Sequence, residues 1–597
     1  MSSTNFKLSV VTVSLLSTFS ANAIEPMYNV VKVDVTDSVE NTHSYNEVHG
    51  VAITPTTERQ LSILDYKGCF TQTSDVNCSE DFLVAGEARV SVEGVSLRDE
   101  APFAMDASFG YIEDYDSFKS YCYRELLYAT CESWARTHWN AWSRQVNTGV
   151  QNIQAFVENN DDLYVNTDFN NLINRLYVSE VDQGDGTFET TVSPIGIQST
   201  QSAGSVYGAR LGIQSNVELP VDDSIVDYRT WAQLNITDVD NNDVSTSYIV
   251  GSSSRVRNNT NGDHFISNAT VWKSENGGTY EYARIGWPSG KEKDGERLAQ
   301  GSIRDIALTS SGIYAVGYNT YDNNNNYYEA SVFRVNDDDT FVNVGGISGA
   351  RVKNSDGDVV YSNTQLVSMN DNGVAIGESK LYGSRPENGA AANKPFVVEN
   401  IVSNRSAKYL QSYGQSLFFT GVGADLGAIN NFNEIVGTID ASQARENDGQ
   451  PRRRRGFIYT VPNMETSKRA ELYNNKAWLL DDLTNDGNPN GINNHYRIIA
   501  ASDINDAGVI SATAIYCADG YDDTTHNSYC GNQVGVEEVV AVKLVPNPLA
   551  LINEDGEITD DPEIAARGVN DPPVDRQGAG FGWLFLVALG FLGFRRK

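Results

Sequence analysis

From end to end the chain sets short apolar runs between clusters of Asn, Asp, Ser and Gly. That turn-rich rhythm predicts strands joined by tight turns rather than long helices. The rhythm also repeats. Leu308-Thr-Ser-Ser-Gly312 leads into Ile313-Tyr-Ala-Val-Gly317, and Met369-Asn-Asp-Asn-Gly373 into Val374-Ala-Ile-Gly377. Ile429-Asn-Asn-Phe-Asn433 leads into Glu434-Ile-Val-Gly437, and Ile504-Asn-Asp-Ala-Gly508 into Val509-Ile-Ser-Ala512. The leading apolar residues are 61, 60 and 75 positions apart. Tyr248-Ile-Val-Gly251 and Ser205-Val-Tyr-Gly208 extend the series upstream.

Each phrase has a local mechanism. An apolar residue ends one strand, and Asn, Asp or Ser makes side-chain-to-backbone turn bonds. Gly or Asn then takes the position of positive φ. A short strand follows and closes on a small residue where backbones can approach. A further strand comes next: Ala269-Thr-Val-Trp272, Ala330-Ser-Val-Phe333, Pro395-Phe-Val-Val398 and Gly456-Phe-Ile-Tyr459. One sheet of three or four such strands cannot bury its own faces, so the units must stack. The expected fold is all-β, a β-propeller of six or seven blades over 24–545, with a β-solenoid as the alternative. The strand at Tyr28–Val33 is expected to complete a blade with Val539–Leu544 and close the ring.

The phrases resemble the HAF-type extracellular repeat, clearly over 303–545 and faintly before that. The whole chain resembles an uncharacterised family of exported Gram-negative proteins that carries only a domain-of-unknown-function label. The resemblance implies fold and location, and brings no catalytic residue.

Residues 114–175 break the pattern. Phe118, Tyr121, Cys122, Glu125, Leu126 and Ala129 fall at helical spacing, which predicts one or two inserted helices that cap the propeller or pack on its side. Trp134, Trp139 and Trp142 are either a sugar-stacking platform or the apolar face of a docked helix.

The two ends read as addresses. Residues 1–23 carry Lys7, an apolar run and Ala21-Asn22-Ala23, the layout of a secretory signal peptide cut after Ala23. Residues 546–577 read as an acidic, solvated linker. The tail 578–597 has Gly578-Ala579-Gly580, an apolar run from Phe581 to Phe594, and Arg595, Arg596 and Lys597. As a helix that run spans about 21 Å, short for a hydrocarbon core of about 30 Å, with its basic end on the cytoplasmic side. The tail resembles GlyGly-CTERM sorting tails, which implies cleavage near the glycines by a rhomboid-type protease (rhombosortase). The other reading is a permanent membrane anchor. Signal peptidase, that protease and the membrane are thus the expected partners. The location is the cell surface or medium after processing, and otherwise the periplasm.

Export gives the six cysteines a meaning, since an even count predicts three disulfides. Cys517 and Cys530 are expected to pair. Cys69, Cys78, Cys122 and Cys131 are expected to pair among themselves. Cys122 and Cys131 fall on opposite faces of a straight helix. Either the helix breaks between them or, the preferred reading, they staple it to the loop of Cys69 and Cys78.

The formal charge of −34 excludes a nucleic-acid partner. The chain has no nucleophile elbow, no HExxH and no Walker loop, and its six histidines are scattered. No catalytic residue is assigned. Asp238, Asp240, Asp356 and Asp358 lie in oxygen-rich turns suited to Ca2+, without an EF-hand pattern. Arg452, Arg453, Arg454 and Arg455 form a basic run that is either a ligand-binding loop or a solvated one. The leading functional expectation is a non-enzymatic propeller that binds a glycan or an envelope protein. The alternatives are a secreted hydrolase or lyase with its site in the central channel, and a structural envelope protein.

Overall fold

The computed structural model describes residues 24–569, except 94–97, 99–113, 147–150, 162–169, 185–187, 201–208, 215–216, 226, 239–243, 261, 322–325, 337–339, 383–384, 450 and 554. The Ala23, Gly578, Ala579 and Gly580 positions, and Asp240, lie outside the described residues.

The repeat hairpins stack radially into a β-propeller. Five free-standing antiparallel blades start from innermost strands at Asn171–Asp182 (blade II), Asp227–Asp238 (III), Ser302–Thr309 (IV), Val359–Met369 (V) and Ala424–Ile429 (VI). A seven-stranded sheet closes the ring and supplies two more wedges. Blade VII is Tyr496–Ile504, Ile510–Cys517 and Glu537–Pro546, with Tyr28–Lys32 as its outer strand. Blade I is Glu47–Ile53, Val84–Arg89 and Ile153–Val157. The two wedges are joined by a single parallel bridge, Glu47 to Val539. Each innermost strand packs on the blade before it, from VII to I and round again, so seven innermost strands surround the axis. Closure falls as the sequence predicts: Tyr28 pairs with Pro546 and Lys32 with Val542, so the two ends of the ring share one sheet.

The turn mechanism holds at all four repeats. Gly312, Gly373, Asn433 and Gly508 have φ of 110°, 75°, 60° and 82°. The closing small residue has a second cause, a β-bulge in the facing innermost strand. A Cβ built on Gly251, Gly317, Gly377 or Gly437 would lie 1.8 to 2.6 Å from a carbonyl oxygen of that strand. The Ser205–Gly208 ending falls in the undescribed 201–208. In blade II the equivalent place is Gly196, opposite Ile173.

The insertion is shorter than 114–175. It is a helical hairpin, Tyr115–Tyr121 extended by a π-helical turn at Cys122–Leu126, then Glu132–Val146. Residues 153–157 and 171–175 are already strand. Leu127, at φ 64°, breaks the helix, and this lets Cys122 pair with Cys131 inside the hairpin. The preferred staple to the Cys69 loop is therefore wrong, because the helix is not straight. Cys69 pairs with Cys78 and Cys517 with Cys530. The hairpin is tied to blade V, where Lys380 Nζ donates to the Glu125 carbonyl at 3.1 Å. It also reaches the Glu446–Asp448 turn of blade VI, where the Ala129 amide donates to the Gly449 carbonyl at 3.0 Å.

Residues 546–569 are mostly exposed but are anchored to the propeller. Leu551 and Arg567 are buried, and Arg567 donates to the Asp481 carbonyl at 2.7 Å and to Asn494 Oδ1 at 2.9 Å. Among the described residues no helix is long and apolar enough to cross a membrane.

Candidate ligand site in the central channel

Every innermost strand carries a β-bulge at the same height, and those of blades V and VII carry a second irregularity further along. The skipped residues are Val51, Asn174, Trp231, Arg304, Val367, Gly427 and Ser502. A bulge turns its extra residue out of the ladder and re-aims it. All of these except Arg304 line one cavity of about 560 Å3 in the channel. Arg304 sits behind it, buried, with its guanidinium 3.8 Å from the Trp231 ring centre. The ring is lopsided. Blades V, VI, VII and I contribute Val367, Gly427, Ser502 and Val51, whereas II, III and IV contribute Asn174, Trp231 and Arg304. The short side chains leave the room.

The charges around the cavity are paired. Glu87 is fully buried against Arg89, at 2.5 Å, and Arg98. Burial works against its charge, but the two guanidiniums hold its carboxyl down to about 2. Arg98 Nε also donates to Asn174 Oδ1 at 2.7 Å. Arg175 bonds Asp503 at 3.1 Å and lies 4.0 Å from Asp305. Asp425 pairs with Arg454. Glu378, also in the lining, is buried and accepts the Leu426 amide at 2.6 Å. Burial first, and the Asp425 charge second, push its carboxyl up to about 8. At neutral pH it is a proton donor. Trp231 Nε1 is buried with no hydrogen-bond partner.

The opposite end of the channel is built from the repeat turns. Asn370 Nδ2 donates to the Asn430 carbonyl at 2.8 Å, Asn430 to the Asn505 carbonyl at 3.1 Å, and Asn505 to the Thr54 carbonyl at 3.0 Å. The same asparagines hold their own turns, accepting amides such as Val374, Glu434 and Val509 at 3.0 to 3.1 Å. Asn431 Nδ2 bridges Asp371 and Asp506 at 2.8 and 2.9 Å. This end leaves about 200 Å3.

The residues singled out in the sequence lie elsewhere. Trp134 stacks on His138 at 3.8 Å and Trp139 on Trp142 at 5.3 Å, in the hairpin's own apolar cluster with Phe118 and Tyr121. Trp142 is buried in that cluster, and Trp134 and Trp139 are half-buried against it. The basic run is half loop and half strand, with Arg452 and Arg453 in the segment that leads into the strand. Arg454 opens the strand Arg454–Thr460, Arg452 is buried on Asp440 at 3.0 Å, and Arg455 bonds Asp481 at 3.0 Å. Of the acidic turns, Asp358 bonds Arg385 at 2.6 Å, and Asn354 Oδ1 accepts the amides of Asp356 and Asp358 at 3.0 and 2.8 Å. Asp238 ends the innermost strand of blade III. Among the described residues no group of three His, Cys, Asp or Glu side chains is placed to hold a metal. His526, one of the scattered histidines, bridges Asp481 at 3.3 Å and Asp482 at 3.1 Å. Burial opposes its charge, yet these carboxylates raise its pKa. No sequence spacing announces that triad, because 44 residues separate its members.

A closed propeller, stapled by three disulfides and with a walled cavity on its axis, is the class these observations define. Residues 306–597 match a family described as "Protein of unknown function (DUF3466)". No curated protein matches the chain. Among solved structures it is similar to a levansucrase mutant of B. megaterium, at 9% identity and TM-score 0.24 over 58% of this chain and 87% of that one. It is also similar to a glycosyl hydrolase from Bacteroides ovatus, at 10% identity and TM-score 0.24 over 58% and 92%. A third is the Bombyx mori beta-fructofuranosidase, at 10% and TM-score 0.25 over 45% and 58%. TM-scores this low carry no argument about activity.

Proposed function

We propose that the protein is an exported, non-enzymatic binding protein that holds a small extracellular molecule in its channel cavity. The observation that carries this reading is the cavity of about 560 Å3 framed by a bulge on every innermost strand. Its size is that of a small-molecule site, about 300 to 1,000 Å3. Among the described residues lining it there is no histidine or cysteine to serve as base or nucleophile. Three disulfides support an oxidising compartment. The leader ending at Ala23 and the Gly578-Ala579-Gly580 tail belong to the same proposal, the first as export signal and the second as sorting site or anchor. The intact mass of the native protein tests the address: a released species starting near Ile24 and ending near Gly578 is expected, and a membrane species ending at Lys597 overturns release.

Binding is tested by thermal-shift screening of sugars, amino acids, organic acids and divalent cations against wild type and Val367→Trp, which fills the cavity. At least one compound is expected to raise the melting midpoint of the wild type only. A set of hits shared equally by both proteins sinks the reading. Glu378 favours a second reading, a hydrolase or lyase. A protonated buried carboxyl near a second carboxylate, here Asp425, is the pairing acid catalysis uses. Turnover of chromogenic glycosides or polysaccharide that disappears in Glu378→Ala would establish it.

A further inference from the structure

We propose that the channel cavity takes an uncharged saccharide of one or two rings, an inference that rests on the binding reading above. The charged groups at the wall already answer one another. Arg89 and Arg98 are engaged by Glu87, Arg175 by Asp503, and Asp425 by Arg454. An ionic ligand would be stripped of water and find no unanswered charge, a cost that partial pairing does not recover. The wall instead offers neutral donors and acceptors among apolar surface. Gln365 and Asn393 present amides, and Glu378 presents a carboxyl that is protonated at neutral pH. Beside them lie Val51, Ile173, Val367 and Leu426. A ligand that matches must combine an apolar ring face with hydroxyls that both donate and accept. The Trp231 ring is held in place by Arg304, so the aromatic surface it adds to the wall is fixed before the ligand arrives.

The test is saturation-transfer NMR and titration calorimetry on the full chain. The neutral probes are glucose, galactose, N-acetylglucosamine, maltose and sucrose, and the charged probes are glucuronate, glucosamine and inorganic phosphate. At least one neutral sugar is expected to bind at least tenfold more tightly than every charged probe. Trp231→Ala, which removes that aromatic surface from the wall, is expected to weaken it about tenfold. Val367→Trp is expected to abolish it, and Val51→Phe, from another wall, repeats that test should the first variant not fold. A charged probe that binds best, and is lost in Val367→Trp, overturns the saccharide class and leaves the channel as a binding site. Sugar binding undiminished in both filling variants overturns the class and the channel reading together. Silence from every probe at millimolar concentration overturns the saccharide class.

Discussion

The two ends of the channel are made by the same strands and follow opposite rules. At the turn end, blades V, VI and VII present the same asparagine in the same role. Asn370, Asn430 and Asn505 each hold their own turn and reach to the next wedge. At the bulge end the seven equivalent positions carry Val, Asn, Trp, Arg, Val, Gly and Ser. Repetition at one end meets a requirement every seam shares, namely satisfying buried polar groups where wedges join. Variety at the other end is what a lining needs when each wall faces a different part of one ligand. The comparison assigns stability to the first end and, on the proposed binding reading, recognition to the second.

The hardest way to break it is at Arg469. This side chain is fully buried, donates to Glu434 at 2.8 Å and to the Tyr66 and Asp506 carbonyls, and lies over Phe432. It ties the turn of blade VI to that of blade VII. Arg469→Met leaves Glu434 charged, buried and uncompensated, and is expected to cost about 3 to 5 kcal/mol in denaturant unfolding. A cost under about 1 kcal/mol would mean that the turn end does not carry the ring's stability.

Asn430→Ala asks the same question of the repeat itself. It removes a buried donor to the Asn505 carbonyl and an acceptor for the Phe432 and Glu434 amides. About 2 to 3 kcal/mol is expected, from orphaned buried groups rather than lost area. Ligand binding at the bulge end should hold its affinity while the melting midpoint falls. An affinity loss as large as the stability loss would erase the division between the two ends.

That division was half legible in the sequence. The Asn-Asp-Gly phrases announced the turns, because side-chain-to-backbone bonding and positive φ are local properties. The closing glycines announced close approach, without saying to what. The bulge opposite them is a register event between two strands, and neither strand records it alone. Trp231 and Glu378 therefore passed unnoticed, whereas Trp134, Trp139 and Trp142 drew attention through helical spacing and proved to be a hairpin core. The Arg452–Arg455 run misled for a related reason. Its partners Asp440, Asp425 and Asp481 come from other strands or the next segment, so local charge gave no sign that Arg452 and Arg455 are buried. The Cys122–Cys131 pair needed a helix break at Leu127, a residue with no turn propensity to betray it.

Proton release from Glu378 sharpens the comparison by pH. Glu378 titrates near 8 in the folded chain, against an ordinary 4.5. Between those values the folded state holds a proton that the unfolded chain has released, so this group's contribution to stability falls as pH rises through that window and levels off above about 8. The groups facing it are Asp425, which raises it, and Arg454, Gln365 and the Leu426 amide, which lower it. Asp371 and Asp503, at the turn end, are raised by burial as well and add slopes of the same sign. Wild-type stability alone therefore cannot isolate Glu378, but its difference from Glu378→Gln can. The glutamine has no proton to lose, so its stability relative to wild type should climb between pH 5 and 8, by at most about 1.4 kcal/mol per unit, and then run parallel. Saccharide affinity should respond higher in pH, holding while Glu378 is protonated in the folded wild type and declining as pH passes about 8, and that decline should vanish in the variant. Parallel stability curves across the whole range would mean that Glu378 is ionised in the channel at neutral pH. The wall would then carry a free negative charge, and cationic ligands would displace neutral sugars as its natural occupants.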